Sequence, residues 1–352
     1  MIKRIFITEE ASNYPYAFEI CEKAGIKPEI IPDEEYYREN IEAFLEDEIK
    51  EGKTHLVLTV FKGEFFRKCP GTKGKICCNY YVIDQTTNCP FDCSYCFLQS
   101  YLNFRAIKFA VNIEDLFKEL TDILKDGRFI RIGTGELSDS LALEPITGFA
   151  SKLIDFFENF PNAMLELKTK SDNVYSLPDL KDRKAKVVVG WTIAPQSIVE
   201  REERLVASLN ERLKASKHVA DKGYLVSFHL DPIIFYPNAL ESYLEMLERV
   251  FSYHKKLAWL SMAGFRYEPQ LKWYVENRFK DSLLLDGEFI KCSDGKFRYL
   301  YPERIKFYRK IIDFVSKKSP ATPIYFCMED KNVWELVFPS DYLSKEKMKI
   351  LF

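Results

Sequence analysis

The hydrophobic and polar positions of residues 1–62 change period several times along the chain. Alternating or continuous apolar runs predict three short strands, at Lys3–Thr8, Pro28–Ile31 and His55–Phe61. Helical spacing predicts helices at Asn13–Gly25, capped by its first residue, and at Glu34–Lys50. This βαβαβ order predicts a small parallel sheet. Because the segment has no glycine-rich phosphate loop, we interpret it as a structural or substrate-shaping leader.

From residue 79 onward, strand and helix patterns alternate regularly. The predicted strands are Tyr80–Asp84, Phe129–Ile132, Met164–Thr169, Lys186–Thr192, Tyr224–Leu230 and Leu257–Met262. The predicted helices are Glu114–Lys125, Ile146–Glu158, Val199–Asp221 and Glu241–Tyr253. Six strand–helix units without an internal repeat predict an α/β fold, an open partial (β/α)6 barrel over residues 79–263. In such barrels the chemistry lies at the carboxyl ends of the strands.

Two further segments complete the predicted organisation. Residues 63–78 are rich in Pro, Gly, Lys and Cys and predict a connecting loop or hairpin. Residues 264–352 predict a mixed C-terminal extension that folds back over the barrel. Its predicted elements are helices at Gln270–Phe279, Glu303–Lys317 and Val333–Phe338, a hairpin at Asp286–Tyr301 and a strand at Pro323–Cys327.

Composition narrows the class of protein. Hydrophobic residues make up 47% of the 352 residues and aromatic residues 15%, which is ample for a buried core. The formal net charge of −2 excludes a global basic field that would attract nucleic acid. No apolar run reaches the length of a membrane span, and the N-terminus is acidic where a signal peptide needs an apolar core. Nine cysteines, an odd and clustered set, predict reduced thiols and a cytoplasmic protein.

Three cysteines follow the first barrel strand at CxxxCxxC spacing: Cys89, Cys93 and Cys96, with Tyr95 just before the last. Three thiolates on one short loop can hold three corners of a [4Fe–4S] cluster and leave the fourth iron without a protein ligand. S-adenosylmethionine (SAM) can chelate that open iron through its amino and carboxylate groups. An electron from the cluster then cleaves SAM and leaves a 5′-deoxyadenosyl radical. A structural zinc site or a ferredoxin cluster is the alternative, but each needs a fourth protein ligand.

The ends of other predicted strands supply candidate SAM contacts. Gly133-Thr134-Gly135-Glu136 combines glycines, which let the backbone approach a ligand, with a carboxylate that accepts hydrogen bonds from an ammonium group. Lys170 is a candidate partner for the SAM carboxylate, and Thr192 for its ribose or adenine. A tight turn and a solvated lysine are the structural alternatives for the first two.

Polar residues also lie at the end of the fifth predicted strand and on the predicted helix that precedes this strand. His229 and Asp231 share a strand face and are predicted to point into the barrel mouth as catalytic groups, with a structural role as the alternative. Arg201, Arg204 and Arg212 lie on or near the predicted helix Val199–Asp221, where charged residues usually form a solvated face.

The segment Cys89-Pro90-Phe91-Asp92-Cys93-Ser94-Tyr95-Cys96, followed by Leu98-Gln99, resembles the spore photoproduct lyase family of radical SAM enzymes. The resemblance extends in order from the leader to about residue 260. It implies a radical that splits a thymine dimer in DNA, with Tyr95 in a radical relay. The family's hydrogen-donating cysteine is matched by Glu136, and its second relay tyrosine by Phe97. A glutamate has no weak X–H bond to donate.

Three hypotheses about function follow. The first is a radical SAM enzyme acting on damaged pyrimidines in DNA, supported by the resemblance and by basic residues near the predicted mouth: Arg105, Lys108, Arg131, Lys168 and Lys170. The second is a radical SAM enzyme that uses the lyase scaffold to act on RNA, a peptide or a small molecule. Glu136 and Phe97, which replace the hydrogen-donating cysteine and the second relay tyrosine, favour this hypothesis. The third is a non-catalytic iron–sulfur or zinc protein.

The first two hypotheses share their cofactors, a [4Fe–4S] cluster and SAM, and a reductant such as flavodoxin or ferredoxin. Three further cysteines, Cys69, Cys77 and Cys78, suggest either a second metal or redox site or small buried hydrophobic side chains.

Overall fold

The computed structural model describes residues 2–72, 74–349 and 351. These residues form two compact units. Unit 1 consists of the described residues of Met1–Lys68, Tyr81–Asp92 and Leu98–Val187, and unit 2 of those of Cys69–Tyr80, Cys93–Phe97 and Val188–Phe352. The cysteine loop therefore contributes Cys89 to unit 1 and both Cys93 and Cys96 to unit 2.

The strands of the described residues are β1 Arg4–Thr8, β2 Glu29–Ile31, β3 His55–Thr59, β4 Phe66–Lys68, β5 Tyr80–Ile83, β6 Thr86–Thr87, β7 Asp92–Cys93, β8 Ile107–Ala110, β9 Ile130–Gly133, β10 Ala163–Thr169, β11 Lys186–Thr192, β12 Glu203–Arg204, β13 Leu225–Ile233, β14 Leu260–Gly264, β15 Arg266–Tyr267, β16 Phe289–Lys291, β17 Phe297–Tyr299 and β18 Ile324–Phe326. The α-helices are α1 Pro15–Ala24, α2 Glu34–Asn40, α3 Glu48–Gly52, α4 Leu98–Tyr101, α5 Ile113–Leu124, α6 Glu144–Thr147, α7 Phe149–Phe157, α8 Gln196–Glu202, α9 Leu209–Asp221, α10 Ala239–Tyr253, α11 Pro269–Arg278, α12 Tyr301–Lys318 and α13 Lys331–Val337. All six predicted barrel strands are present, as β5, β9, β10, β11, β13 and β14.

The leader sheet of unit 1 has the strand order β2-β1-β3-β8-β6. Its first three strands are the predicted ones, and β1 pairs in parallel with both neighbours. The sequence-based prediction missed β8 and β6, although β8 pairs in parallel with β3. The predicted single helix Glu34–Lys50 is wrong, because Asp33 caps α2 and Asp47 caps a separate α3 by accepting from backbone N–H groups.

Unit 1 also holds strands of the second sheet, in the order β10-β9-β5-β4. Strands β9 and β10 pair in parallel, with Ile132 opposite Leu165. Strand β4, which carries Arg67, pairs antiparallel with β5, so the segment predicted as a connecting loop or hairpin contains one strand of a hairpin. The predicted helix Ile146–Glu158 is divided into α6 and α7 at Gly148, whose φ of 62° is the left-handed conformation that ends a helix.

Unit 2 carries β18-β14-β13-β11, and each neighbouring pair is parallel. Strand β18 comes from the predicted C-terminal extension, which therefore contributes a sheet strand. The predicted hairpin is confirmed, because β16 and β17 pair antiparallel. None of the helices in the described residues combines the length and the hydrophobicity that crossing a membrane requires.

The predicted single helix Val199–Asp221 in unit 2 is wrong. Helix α8 ends at Glu202, Leu205 has a φ of 64°, and α9 begins only after Ser208. Ser208 and Glu211 form a capping box, which satisfies backbone N–H groups at the start of α9 and favours a new helix there. The break places two glutamates beside the cysteine loop.

Candidate iron–sulfur and SAM site

The first cysteine of the loop is fixed within unit 1 by Asn88. This residue has a φ of 67°, a conformation that asparagine tolerates better than most residues. Its side-chain oxygen accepts from the Cys89 N–H at 2.8 Å, and its side-chain amide donates to the Arg105 carbonyl at 2.6 Å. The Ser138 hydroxyl donates to the Asn88 carbonyl at 2.7 Å. The backbone before Cys89 is therefore hydrogen-bonded to the segment that precedes β8 and to the loop after β9.

The donor set at the loop suits an iron–sulfur cluster. All nine cysteines are thiols, including Cys89, Cys93 and Cys96. The backbone N–H of Phe91 donates to Cys89 Sγ at 3.4 Å, and hydrogen bonds of this kind stabilise cluster thiolates. Within the described residues no three His, Cys, Asp or Glu side chains already stand at metal-ligand spacing, so this assignment rests on the donor set and its loop. The described residues likewise show no group of three metal ligands at Cys69, Cys77 and Cys78, so a second metal site there stays a prediction.

The middle of the loop is bound within unit 2 by Glu202. The Ser94 N–H donates to the Glu202 carbonyl at 2.8 Å, and its hydroxyl donates to the Glu202 carboxylate. That carboxylate also accepts from the Ser282 hydroxyl and the Leu283 N–H, each at 2.7 Å. A buried carboxylate with this many donors is well satisfied and holds the loop rigidly.

The neighbouring Glu203 joins Tyr95 to a buried arginine. The Tyr95 phenol donates to the Glu203 carboxylate, which also accepts from Arg212 Nη2 at 2.5 Å. Arg212 donates further to the carbonyls of Ala207 and Thr192, each at 2.8 Å. Burial, and next the charge of Glu203, raise the pKa of Tyr95 well above its usual value. Tyr95 is therefore a neutral phenol whose proton faces a carboxylate.

The expectation that Arg212 lies on a solvated helix face is wrong, because its side chain is 0% exposed and paired with Glu203. Sequence reasoning also missed Glu202 and Glu203, which it placed inside a continuous helix. The Ser208-x-x-Glu211 spacing is the signal that could have revealed the helix break.

The end of β9 carries the predicted glycine-rich contact. A Cβ atom at Gly135 would lie 2.7 Å from Lys168 Cβ, so glycine is required there. Glu136 accepts from Arg67 Nη2 at 2.7 Å, and Arg67 also binds Asp84. Burial raises the pKa of Glu136, and the charge of Arg67 opposes that rise. The carboxylate predicted to meet SAM is thus already bound to a guanidinium group.

Two other predicted SAM contacts, Thr134 and Lys170, lie in unit 1, and a third, Thr192, lies in unit 2. Thr134 donates to the Ser140 hydroxyl at 2.8 Å. Asp139, whose pKa is raised by burial, accepts from the Lys170 N–H and the Thr169 hydroxyl, each at 2.7 Å. This fixes the backbone that carries the Lys170 ammonium. Thr192 ends β11.

His229 and Asp231 have different surroundings within unit 2. His229 is 3% exposed; its Nδ1 lies 2.6 Å from Ser261 Oγ and its Nε2 lies 3.4 Å from Ser227 Oγ. Asp231 is half-buried and accepts from Arg266 Nη1 at 3.0 Å. A buried histidine among serines is a typical satisfied core residue, so the catalytic role of these two residues stays a prediction.

The basic residues predicted to attract nucleic acid are largely engaged within unit 1. Arg105 pairs with Glu48 at 3.0 Å and Lys108 with Glu34 at 2.8 Å. Arg131 is only 3% exposed. Two of these side chains are thus paired with carboxylates and the third is buried, and the basic patch near the barrel mouth stays a prediction.

Comparisons with known proteins agree on one family. The sequence model described as spore photoproduct lyase matches residues 2–324. Spore photoproduct lyase from Geobacillus sp. (strain Y412MC61) is 24% identical over 238 residues, which cover 64% of this chain and 69% of that protein. The one from Clostridium acetobutylicum (strain ATCC 824) is 23% identical over 255 residues, which cover 71% of this chain and 74% of that protein.

Solved structures agree on the fold. A spore photoproduct lyase double mutant with bound AdoMet and dinucleoside spore photoproduct matches with a TM-score of 0.78 at 22% identity, covering 94% of this chain and 99% of that one. A lyase with a tyrosine-to-phenylalanine substitution matches with a TM-score of 0.79 at 23% identity. The predicted α/β partial barrel is confirmed. Because the family model covers nearly all of the chain, this protein belongs to the spore photoproduct lyase family of radical SAM enzymes.

Proposed function

We propose that this enzyme holds a [4Fe–4S] cluster on Cys89, Cys93 and Cys96, binds SAM, and acts on damaged pyrimidines in DNA. The observation that carries the proposal is the cysteine loop, whose two halves are fixed by buried polar contacts in a chain of this family. When bound, the cluster and SAM supply a 5′-deoxyadenosyl radical. Three thiolates would hold three irons of the cluster and leave the fourth open, and the polar contacts restrain each half of the loop that carries these thiolates.

The chain's own residues have separate tasks in this proposal. The Lys170 ammonium pairs with the SAM carboxylate, Gly133-Thr134-Gly135 lets the backbone approach SAM, and Thr192 faces its ribose or adenine. The Glu136 carboxylate accepts a hydrogen bond from the SAM ammonium group. Tyr95 holds its phenolic proton toward Glu203. His229 and Asp231 border the substrate.

The substrate class in this proposal comes from the relatives. The solved lyase has a dinucleoside spore photoproduct bound. A cytoplasmic location and a reductant such as flavodoxin or ferredoxin complete the proposal, since a low-potential cluster needs an electron donor.

Anaerobic reconstitution tests the radical chemistry. The wild-type protein should contain about four irons per chain, the content of one cubane cluster, and should form 5′-deoxyadenosine from SAM and dithionite. Cys93→Ala should lose both properties. Cys21→Ala, which removes a buried thiol of α1 outside the cysteine motif, is the matched control and should keep both. Iron or 5′-deoxyadenosine at wild-type levels in Cys93→Ala would contradict the proposal.

A second substrate class is supported by a specific contact. Glu136, which stands where the family has its hydrogen-donating cysteine, is bound to Arg67, and neither group can donate a hydrogen atom. Three of the five basic side chains predicted to meet nucleic acid are engaged elsewhere. These contacts favour a substrate other than a DNA lesion, such as RNA, a peptide or a small molecule.

Glu136→Cys separates the two substrate classes. If the substrate is a dinucleoside spore photoproduct, this variant should release more repaired dinucleotide per SAM cleaved than wild type. In D2O the product should carry deuterium, because a thiol hydrogen exchanges with solvent. Glu136→Gln controls for loss of the Arg67 ion pair without adding a thiol. Cleavage of SAM without repair in all three proteins would favour the second class, and salt-independent DNA binding would agree with that result.

A further inference from the structure

A lysine from the leader is buried against the backbone of the cysteine loop. Lys53 follows α3 and is 5% exposed. Its ammonium group donates to the Phe91 carbonyl at 2.6 Å, to the Cys89 carbonyl at 3.1 Å and to Asn88 Oδ1 at 3.4 Å. All four residues belong to unit 1. Three oxygens thus saturate the three N–H donors of this group.

None of these partners carries a negative charge. Within the described residues, Lys53 has no carboxylate at ion-pair distance. Lys75 of unit 2 is similarly buried but is bound to the Asp330 carboxylate. Burying a charge without an opposite charge is costly, even when its hydrogen bonds are satisfied. The Lys53 ammonium group is therefore buried against neutral oxygens alone.

The ammonium group is also close to a cluster ligand. The carbonyl oxygen and the sulfur of Cys89 are four covalent bonds apart, so Lys53 Nζ lies within about 8 Å of Cys89 Sγ. At that separation, an opposite charge in a partly buried site still interacts measurably.

We propose that Lys53 provides the counter-charge for the iron–sulfur cluster held at Cys89, and so raises the reduction potential of that cluster. The inference rests on the proposed function, because it requires the cluster to bind there. A cubane bound by three thiolates is negatively charged, and it becomes more negative when it gains an electron. A fixed positive charge stabilises the reduced cluster more than the oxidised one. Lys53 acts through the loop as a positioning residue and through space as a charge.

Potentiometric titration of the reconstituted protein tests this role, with the cluster followed by EPR. Lys53→Met removes the charge and the donors, whereas Lys53→Gln removes the charge but keeps amide N–H donors for the loop. At the wild-type midpoint potential, both variants should show an about tenfold lower ratio of reduced to oxidised cluster, a fall of about 59 mV for a one-electron couple. Lys53→Arg, which keeps the charge, should titrate closer to wild type.

Lys62→Met is the matched control, because Lys62 is an exposed lysine of the same unit that pairs with Glu10. It should titrate as wild type. A purely structural role for Lys53 would lower the iron content or the melting temperature of Lys53→Met and Lys53→Gln, but would leave the potential of their bound cluster unchanged.

Two results overturn the inference and are distinguishable. If wild type holds a cluster and both uncharged variants keep its potential, the inference fails and the proposed function stands. If the wild-type protein binds no cluster, the inference and the proposed function fail together. Where Lys53→Met does not fold, Lys53→Gln decides, since it preserves hydrogen-bond donors at the same position.

Discussion

Glu203 joins a neutral phenol and a buried cation beside the cysteine loop. Its carboxylate binds Tyr95 and Arg212, and both charged side chains of the ion pair are fully buried. A buried ion pair adds little net stability over apolar packing, but removing one partner leaves an uncompensated charge. Removing one partner of this pair therefore costs more free energy than the intact pair contributes to stability.

Glu203→Gln should destabilise the protein by about 3–5 kcal/mol, because Arg212 stays buried without its counter-charge. The measurement is urea unfolding of the protein without cluster, followed by circular dichroism. Glu200→Gln is the matched control, since that exposed glutamate lies in the preceding helix α8 and accepts a hydrogen bond from the Gln196 side chain at 3.0 Å. Equal unfolding midpoints for the two variants would contradict the buried-pair interpretation.

Gly190 shows how closely His229 is enclosed. A Cβ atom there would lie 2.6 Å from His229 Nε2 and 2.7 Å from Ser227 Oγ. Gly190→Ala should cost about 1–3 kcal/mol through overpacking. Combining it with Ser227→Ala, which removes one of the two clashing atoms, should recover part of the loss. A Gly190→Ala protein with wild-type unfolding would show that the histidine can move freely.

At the level of secondary structure, breaks between elements position the site more than the elements themselves do. The chain leaves α8 after Glu202 and starts α9 at Leu209, and this turn brings Glu203 beside Tyr95. Residue periodicity did not reveal the break, because the apolar spacing continues on both sides. Local capping by Ser208 and Glu211 decides where the second helix begins.

Ser208→Ala should lower the stability by about 1 kcal/mol, the typical contribution of an N-cap hydrogen bond. Ser252→Ala, an exposed serine in α10, is the control and should be neutral, since alanine is the better helix former. Thermal unfolding of the two variants makes the comparison. A loss in Ser252→Ala as large as that in Ser208→Ala would show that the cap is unimportant.

Both units contain a buried histidine, so the whole molecule should be sensitive to mild acid. Burial lowers the pKa of His55 in unit 1 and of His254 in unit 2 from 6.5 to about 4. His55 Nδ1 lies 2.7 Å from the Tyr37 hydroxyl, and His254 Nε2 lies 2.8 Å from Ser216 Oγ. Each is therefore held neutral in the folded protein.

A folded-state pKa below the unfolded value means that protons bind the unfolded chain more tightly. The stability from these neutral histidines is present above about pH 6.5 and is lost progressively as the pH falls toward 4. Melting temperatures should decline over this range. His55→Asn and His254→Asn should each flatten the decline, and the double variant should flatten it most. An unchanged pH slope in the double variant would assign the acid sensitivity to other groups.

The sequence by itself determined the class of chemistry and most of the architecture. The Cys89–Cys93–Cys96 spacing, the strand–helix alternation and the segment around Glu136 indicated the family, because ligand spacing and hydrophobic period are local properties that survive in a one-dimensional pattern. All six barrel strands were predicted for the same reason.

Only the tertiary structure decided which groups surround the loop. Lys53, Arg67, Glu202 and Glu203 have partners that are distant in sequence, and Arg212 is buried in an ion pair with Glu203. These roles follow from burial and pairing that periodicity does not encode. Charged residues look alike in sequence whether they face water or a buried partner. The cost of leaving a buried charge unpaired acts only after folding, and for this reason the polar surroundings of the cysteine loop were not predictable from the chain alone.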